Sequence, residues 1–419
     1  MITSARRIAA VLYAYSFLDD LVLLYPVYAL LFADTGLSVW QITSLFVIWA
    51  GSSLVLEVPS GAWADAVSRR LLLIVGPLFT AVTFVSWAIF PTYWVFALGF
   101  LLWGLKGALA SGALEALVYE ELERAGAADR YATIMGRASA AGTIGVVLAM
   151  AFAAPVLAVG GYPAVGVASA VVGGLTAGVA AAFPEHRKPI LDDEEHVAVT
   201  QSLRAGLGEV RRVPSVRAAV LVVAVVAAIW GSLEEYTPLL ILGTGVPVAG
   251  VPLFELLIWS GVAVGGLFAG RAERLGRTGF VALLVGSAAA LAAGALVRHP
   301  AGMVLVAVAF GGFQLATVLA DVRLQHSITG PARATVTSLA GMTTDVGTIA
   351  VYACYAALAS ATGHSGAFVL LCAPYLLVAA WILRAGRATR SPTGPARHAS
   401  SPPPADTAPA GSPVPAKEP

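Results

Sequence analysis

Twelve apolar runs, at 8–32, 40–63, 71–90, 93–117, 137–160, 163–183, 218–242, 251–270, 279–297, 301–322, 334–361 and 365–383, fill most of the 419-residue chain. Each approximates the ~20 residues that an α-helix needs to cross a hydrocarbon core. Lipid offers backbone N–H and C=O groups no partner, so each run is expected as a helix that satisfies them internally. Only 12% of the residues are charged, against about 25% in soluble domains. The expected fold class is therefore all-α integral membrane, with about twelve transmembrane helices. The formal net charge of +1 is spread over connections between spans, which gives no basis for nucleic-acid binding. Arginine outnumbers lysine, and alanine, glycine and valine dominate, as in chains from GC-rich bacterial genomes.

The basic residues are sorted. Arg6/Arg7, Arg69/Arg70, Arg124/Arg130/Arg137, the cluster from Arg187 to Arg217, Arg271/Arg274/Arg277, Arg323/Arg333 and the tail arginines fall on alternate connections. The opposite connections, around Thr35, Pro91, Gly161, Thr244 and Gly363, carry none, and the one near 298 carries only Arg298. The positive-inside rule then places both termini in the cytoplasm. Arg6 and Arg7 before an apolar stretch imitate a signal peptide, but Asp19 and Asp20 interrupt that stretch and no small-residue cleavage site follows. It is expected as an uncleaved first span. Cys354 and Cys372 lie in apolar runs and are expected as small buried hydrophobes, with no metal-ligand spacing around them.

Between the second and third runs lies Gly61-Ala62-Trp63-Ala64-Asp65-Ala66-Val67-Ser68-Arg69-Arg70, and a weaker copy follows the eighth run as Ala269-Gly270-Arg271-Ala272-Glu273-Arg274-Leu275-Gly276-Arg277. In both, an acid stands four residues after a small residue and an arginine four beyond it. Two further matches support two related halves. Thr35-Gly36 precedes Trp49-Ala50-Gly51 as Thr244-Gly245 precedes Trp259-Ser260-Gly261, and the acid pair Asp19-Asp20 is echoed by Glu234-Glu235. A repeat of this kind places a site between the halves. The expected organisation is a six-helix bundle over 1–183, a cytoplasmic linker over 184–217, a second bundle over 218–383 and a disordered cytoplasmic tail over 384–419. The linker holds the acidic run Asp192-Asp193-Glu194-Glu195, read as a solvated face, and then Leu203, Leu207 and Val210 at the spacing of a surface-lying amphipathic helix. Small residues four apart (Gly104, Ala108, Gly112; Ala141, Gly145, Ala149; Gly261, Gly265, Ala269) read as close helix packing.

These residues resemble the major facilitator superfamily. Its marker after the second span is Gly-x-x-x-Asp-(Arg/Lys)-x-Gly-Arg-(Arg/Lys), matched by Gly61, Asp65, Arg69 and Arg70. Ala66 and Ser68 depart from it, and Glu273, Gly276 and Arg277 belong to the degenerate second copy. The resemblance implies two pseudo-symmetric six-helix bundles, with Asp65 and Arg69 helping to lock the cytoplasmic ends of the halves together. Ser111-Gly112-Ala113-Leu114-Glu115-Ala116-Leu117-Val118-Tyr119-Glu120 is similar to a stretch common in poorly characterised bacterial members. The family's antiporter signature in the fifth span is matched at Gly136 and Gly145 only; Ala149, Met150, Ala153 and Ala154 hold its other positions.

Charges inside a bilayer are costly, which makes each a functional candidate. At ~1.5 Å rise per residue, Asp19, Lys106, Gln314 and Asp345 fall near mid-bilayer, and Glu234 and Glu235 between the middle and the outer surface. The resemblance brings the first, fourth, seventh and tenth spans around one cavity, with Asp19 or Asp20, Lys106, Glu234 or Glu235, and Gln314 on its wall. Adjacent helical positions diverge by ~100°, so one aspartate of the pair is expected in the cavity and the other against a neighbouring helix. Either Asp19/Asp20 carry a proton, since a carboxyl taken from water holds its proton more tightly, or they are structural partners of Lys106. Glu234 and Glu235 bind a cationic solute or sit in an outer vestibule; Asp345 is a second titrating site or an anchor to Thr343 and Thr344. Glu57, before Val58-Pro59, is expected to stabilise a broken helix end.

The function this implies is a proton-coupled secondary transporter that moves a small organic solute by alternating access across a bacterial inner membrane, working as a monomer. Efflux of a drug-like or secondary metabolite is preferred. The alternatives are an uptake permease and a non-transporting receptor or enzyme on the same scaffold. No nucleophile constellation, metal cluster or phosphate-cradling loop is found in the sequence, and no cofactor is expected.

Overall fold

The computed structural model describes residues 2–110, 112–186, 212–328 and 333–388, and every element in them is helical. Most of the expected linker, most of the tail and the side chains of 57–66, including Glu57 and Asp65, fall outside the described residues. Among the described residues, ten segments are long and apolar enough to cross a membrane. Two of them, of 53 and 51 residues, have the length of two crossings.

The first half comprises α1 (Ile2–Asp20), α2 (Tyr28–Asp34), α3 (Val39–Ala66), α4 (Arg69–Ile89), α5 (Tyr93–Ala110), α6 (Ala113–Arg124) and α7 (Tyr131–Ala180). The second comprises α8 (Pro214–Glu234), α9 (Thr237–Leu242), α10 (Val251–Leu267), α11 (Ala269–Ala272), α12 (Arg277–Leu296), α13 (Gly302–Ser327), α14 (Arg333–Leu370) and α15 (Ala373–Ala388). Gly161 inside α7 and Gly363 inside α14 leave helical geometry, where the sequence places turns between spans. Within the first half α7 packs on α1 and α4, and α5 on α3 and α4. Within the second, α13 packs on α8, α10 and α12, and α14 on α8. The halves meet along α3 with α14 and α7 with α10.

The small-residue stripes serve contact between backbones. A Cβ on Gly265 would lie 2.0 Å from the Gly311 carbonyl oxygen, so α10 and α13 touch as only glycine permits. One stripe member is different. Gly112 adopts φ +72 and N-caps α6, so the fourth apolar run is two helices and this glycine turns the chain rather than packing a face. The cysteines also divide: Cys372 is buried as expected, whereas Cys354 is exposed on its helix.

Two spans are broken at matching places. α1 ends at Asp20 and the chain resumes through a short 3-10 turn, Tyr25–Val27, into α2. α8 ends at Glu234 and resumes at Thr237. Backbone groups released inside a membrane need new partners. Leu24 N–H donates to Ser169 Oγ of α7 at 3.0 Å, and Thr237 Oγ1 donates to the Glu234 carbonyl at 2.6 Å.

Candidate functional site

A cavity of about 980 Å³ lies between the halves, and both acid pairs reach its wall. Asp19 and Asp20 enter from the end of α1, and Glu234 and Glu235 from the end of α8, each pair beside its helix break. Trp49 of α3 and Trp259 of α10, the matching tryptophans of the two halves, also line it, with Tyr25, Tyr352 and Gln314. The wall continues to Leu114 at the start of α6, Met135 at the start of α7 and Gly266 at the end of α10. The chamber thus extends toward the end of the molecule where α1, α7 and α8 begin.

The other end is sealed. Thr43 of α3 and Tyr236, between α8 and α9, share a buried hydrogen bond of 2.8 Å across the halves. Phe46 packs edge-on to Tyr236 at 5.3 Å and against Tyr352 at 5.6 Å, and Tyr236 stacks on Tyr355 at 3.6 Å.

Lys106 of α5 is not on the chamber wall. Its Nζ pairs with Asp19 Oδ1 at 2.7 Å, behind the wall that Asp19 forms. Asp20 lies so close to α7 that a Cβ on Gly142 would collide with its Oδ2. The ~100° divergence therefore sends the two aspartates to different neighbouring helices. Both nonetheless line the chamber, which corrects the expectation that only one would. Asp345 is likewise absent from the wall, although Thr344 and Thr348 on the same helix line it. The Thr343 and Thr344 hydroxyls donate to the carbonyls of Leu339 and Ala340.

One acidic residue was missed as a site residue in the sequence. Glu255 of α10 is 3% exposed, and its Oε1 has no hydrogen-bond partner among the described residues. It borders a space of about 20 Å³ together with Glu234, Glu235, Tyr25 and Trp259, room for about one water. The signal was available: Glu255 stands four residues before Trp259, on one face of α10. Tyr15, on the chamber wall, is the other buried side chain with an unpartnered oxygen among the described residues. Such atoms in a native interior call for water or a ligand.

The hairpin residues form a separate cluster. Arg69 pairs with Glu120 at 2.7 Å, inside the stretch 111–120. Ser68, which replaces the motif glycine, N-caps α4 by accepting from Leu71 N–H and donates to Glu185. Arg70 donates to the Phe183 carbonyl, and Glu121 accepts from the His186 backbone N–H at 2.9 Å. These contacts tie α4 and α6 to the chain after α7, all within the first half. In the second copy Glu273, Gly276 and Arg277 are exposed, and Gly276 precedes α12.

A family model described as Major Facilitator Superfamily matches residues 9–351. The chain belongs to that superfamily. Among curated protein sequences none matches. Among solved structures, a mutant of the nucleoside transporter NupG superposes with TM-score 0.74 at 14% identity, covering 90% of this transporter and 99% of NupG. A bacterial homologue of the human lysosomal transporter Spinster, described as inward-facing and occupied, gives 0.65 at 15% identity, with 91% and 96% covered. A D-xylose–proton symporter gives 0.62 at 14% identity, with 90% and 96% covered. At these identities the likeness concerns the fold alone.

Proposed function

We propose that this superfamily member is a proton-coupled exporter of small amphipathic solutes that works by alternating access, and that the present conformation opens to the cytoplasm. The observation that carries the reading is the pair of broken helices, each delivering two carboxyls to one chamber. Broken spans at a midplane site are how membrane transporters expose polar groups without unsatisfied backbone. Counting each double-length segment as two crossings yields twelve, with bundles over 1–183 and 218–383 and both termini in the cytoplasm of a bacterial inner membrane. The chamber then faces the cytoplasm, and the Thr43–Tyr236 contact closes the outer side.

The wall suits a solute with a flat apolar body and a positive or protonatable group. Trp49, Trp259, Tyr25 and Tyr352 offer ring faces, four carboxyls reach the wall with Asp19 already paired to Lys106 behind it, and no Lys, Arg or His is among the described wall residues. Proton drive is energetically adequate, since a charge falling through 100 mV yields ~2.3 kcal/mol, roughly a fifty-fold gradient. Uptake is the second reading, favoured by structural neighbours named for nucleosides and D-xylose.

Reconstitution in proteoliposomes with an imposed proton gradient tests both. Organic cations should move outward against protons and stop when an ionophore collapses the gradient. Neutralising both Asp19 and Asp20 to asparagine should abolish coupled movement; full coupled transport in that double variant would refute the carrier assignment. Accumulation of a polar metabolite with the proton gradient would favour uptake.

A further inference from the structure

A second cavity, of about 370 Å³, lies among α8, α12, α13 and α15, and shares no lining residue with the chamber. Its floor is apolar, formed by Ala218, Val222, Phe280 and Ile382, and Trp381 at its rim is 49% exposed. Two arginines, Arg277 and Arg323, share this wall. Arg323 is held in place: its guanidinium lies 4.0 Å from the Phe280 ring centroid and donates to the Leu275 carbonyl at 3.0 Å. Arg277 is exposed, opens α12, and follows Gly276, an N-cap that supplies no side chain to the free N–H groups of the first turn. Neither arginine has a carboxylate partner among the described residues, and the neighbouring acids Glu273 and Asp321 are not on the wall.

The depth is that of a membrane interface. Arg277 is the first residue of α12, Arg323 stands four residues before the end of α13, and Trp381 seven before the end of α15. At ~1.5 Å per residue the groove descends about 10 Å from the helix ends, from headgroup level to the first methylenes. An inorganic anion would leave the apolar floor unused, and an acyl chain alone would leave the two guanidiniums unused. A molecule carrying both features is an anionic phospholipid, with its phosphate between the arginines and the α12 amides and its glycerol and upper chain on the floor.

We infer that this groove is a binding site for one anionic phospholipid of the leaflet where α12 begins. The full-length protein is reconstituted in phosphatidylcholine vesicles, and spin-labelled phosphatidylglycerol is compared with spin-labelled phosphatidylcholine. The wild type should immobilise phosphatidylglycerol in preference. Arg277→Gln should cut that preference about five-fold, and Arg277→Lys should keep most of it. Arg277 makes no intramolecular bond among the described residues, so its variants should melt as the wild type does in pure phosphatidylcholine. Arg323→Gln should weaken the same preference. Equal immobilisation of the two lipids, or a preference untouched by Arg277→Gln, overturns the site. Displacement by millimolar inorganic phosphate would make it a free-anion site instead. A preference that appears only after Asp192-Asp193-Glu194-Glu195 are neutralised would make the chain's own linker the occupant, and the inference would fail.

Discussion

Asp19 and Lys106 show how one contact narrows two sequence readings. Mid-bilayer depth made either a proton carrier or a structural ion pair reasonable, and the 2.7 Å contact shows that the pair exists while Asp19 also meets the chamber. The side chains are 24% and 12% exposed, so removing one partner strands a largely desolvated charge. Lys106→Ala should therefore destabilise the protein by about 3 kcal/mol. Adding Asp19→Asn to it should recover most of the loss, because the stranded charge goes too. Thermal unfolding of both purified single variants and of the double variant measures this; a double-variant loss equal to the sum of the two single losses would mean that the pair contributes no coupling. Glu255 belongs to the same scale. Its carboxyl shares a one-water space with the α8 acids, so Glu255→Gln should leave solute exchange between equal proton concentrations intact while reducing proton-driven accumulation several-fold. Loss of exchange as well would place Glu255 in the binding of solute.

At the scale of elements, helix existence was legible and helix continuity was not. Long apolar runs dictate spans because lipid permits little else. The breaks after Asp20 and Glu234 depend on tertiary rescue, such as Ser169 accepting from Leu24 N–H, and that partner lies 145 residues away. Pro26 and Pro238 just beyond the breaks were the local hint, since each enters the first turn of the following helix. Asp19-Asp20 and Glu234-Glu235 were readable as a repeated pair, and the resemblance already set one member of each on a common wall; that all four carboxyls reach it follows only from the packing of the halves. The α10–α13 contact has a sharper consequence. Gly265→Leu should force these helices apart and cost more than about 3 kcal/mol of overpacking strain, whereas Gly266→Leu should be tolerated, because no atom lies within 4 Å of a Cβ there. Expression and melting temperature of the two variants decide the point; similar behaviour would contradict the close approach.

At the scale of the molecule, one end is closed by Thr43, Phe46, Tyr236 and Tyr352, and the chamber reaches toward the other. A buried hydrogen bond contributes about 0.5–1.5 kcal/mol, so Tyr236→Phe should move the balance between open states by up to about tenfold toward opening at the sealed end. A single cysteine at Ser139, on the chamber wall, reports this when Cys354 and Cys372 are replaced by serine. An impermeant maleimide should reach it from the cytoplasmic face in the wild type and also from the opposite face in the Tyr236→Phe background. Labelling unchanged in that background would show that the tyrosine does not hold the seal.

The paired helix breaks carry a mechanical corollary. α2 and α9 are short caps, seven and six residues long, tethered to their parent helices by segments that have given up the regular ladder. Both caps are packed into the core, with Phe32 and Ile241 at 0% exposure, so a bend at either tether carries the cap and the helices packed on it together. The hinge and the carboxyls occupy the same stretch of chain, which puts the trigger and the moving part within one turn of each other.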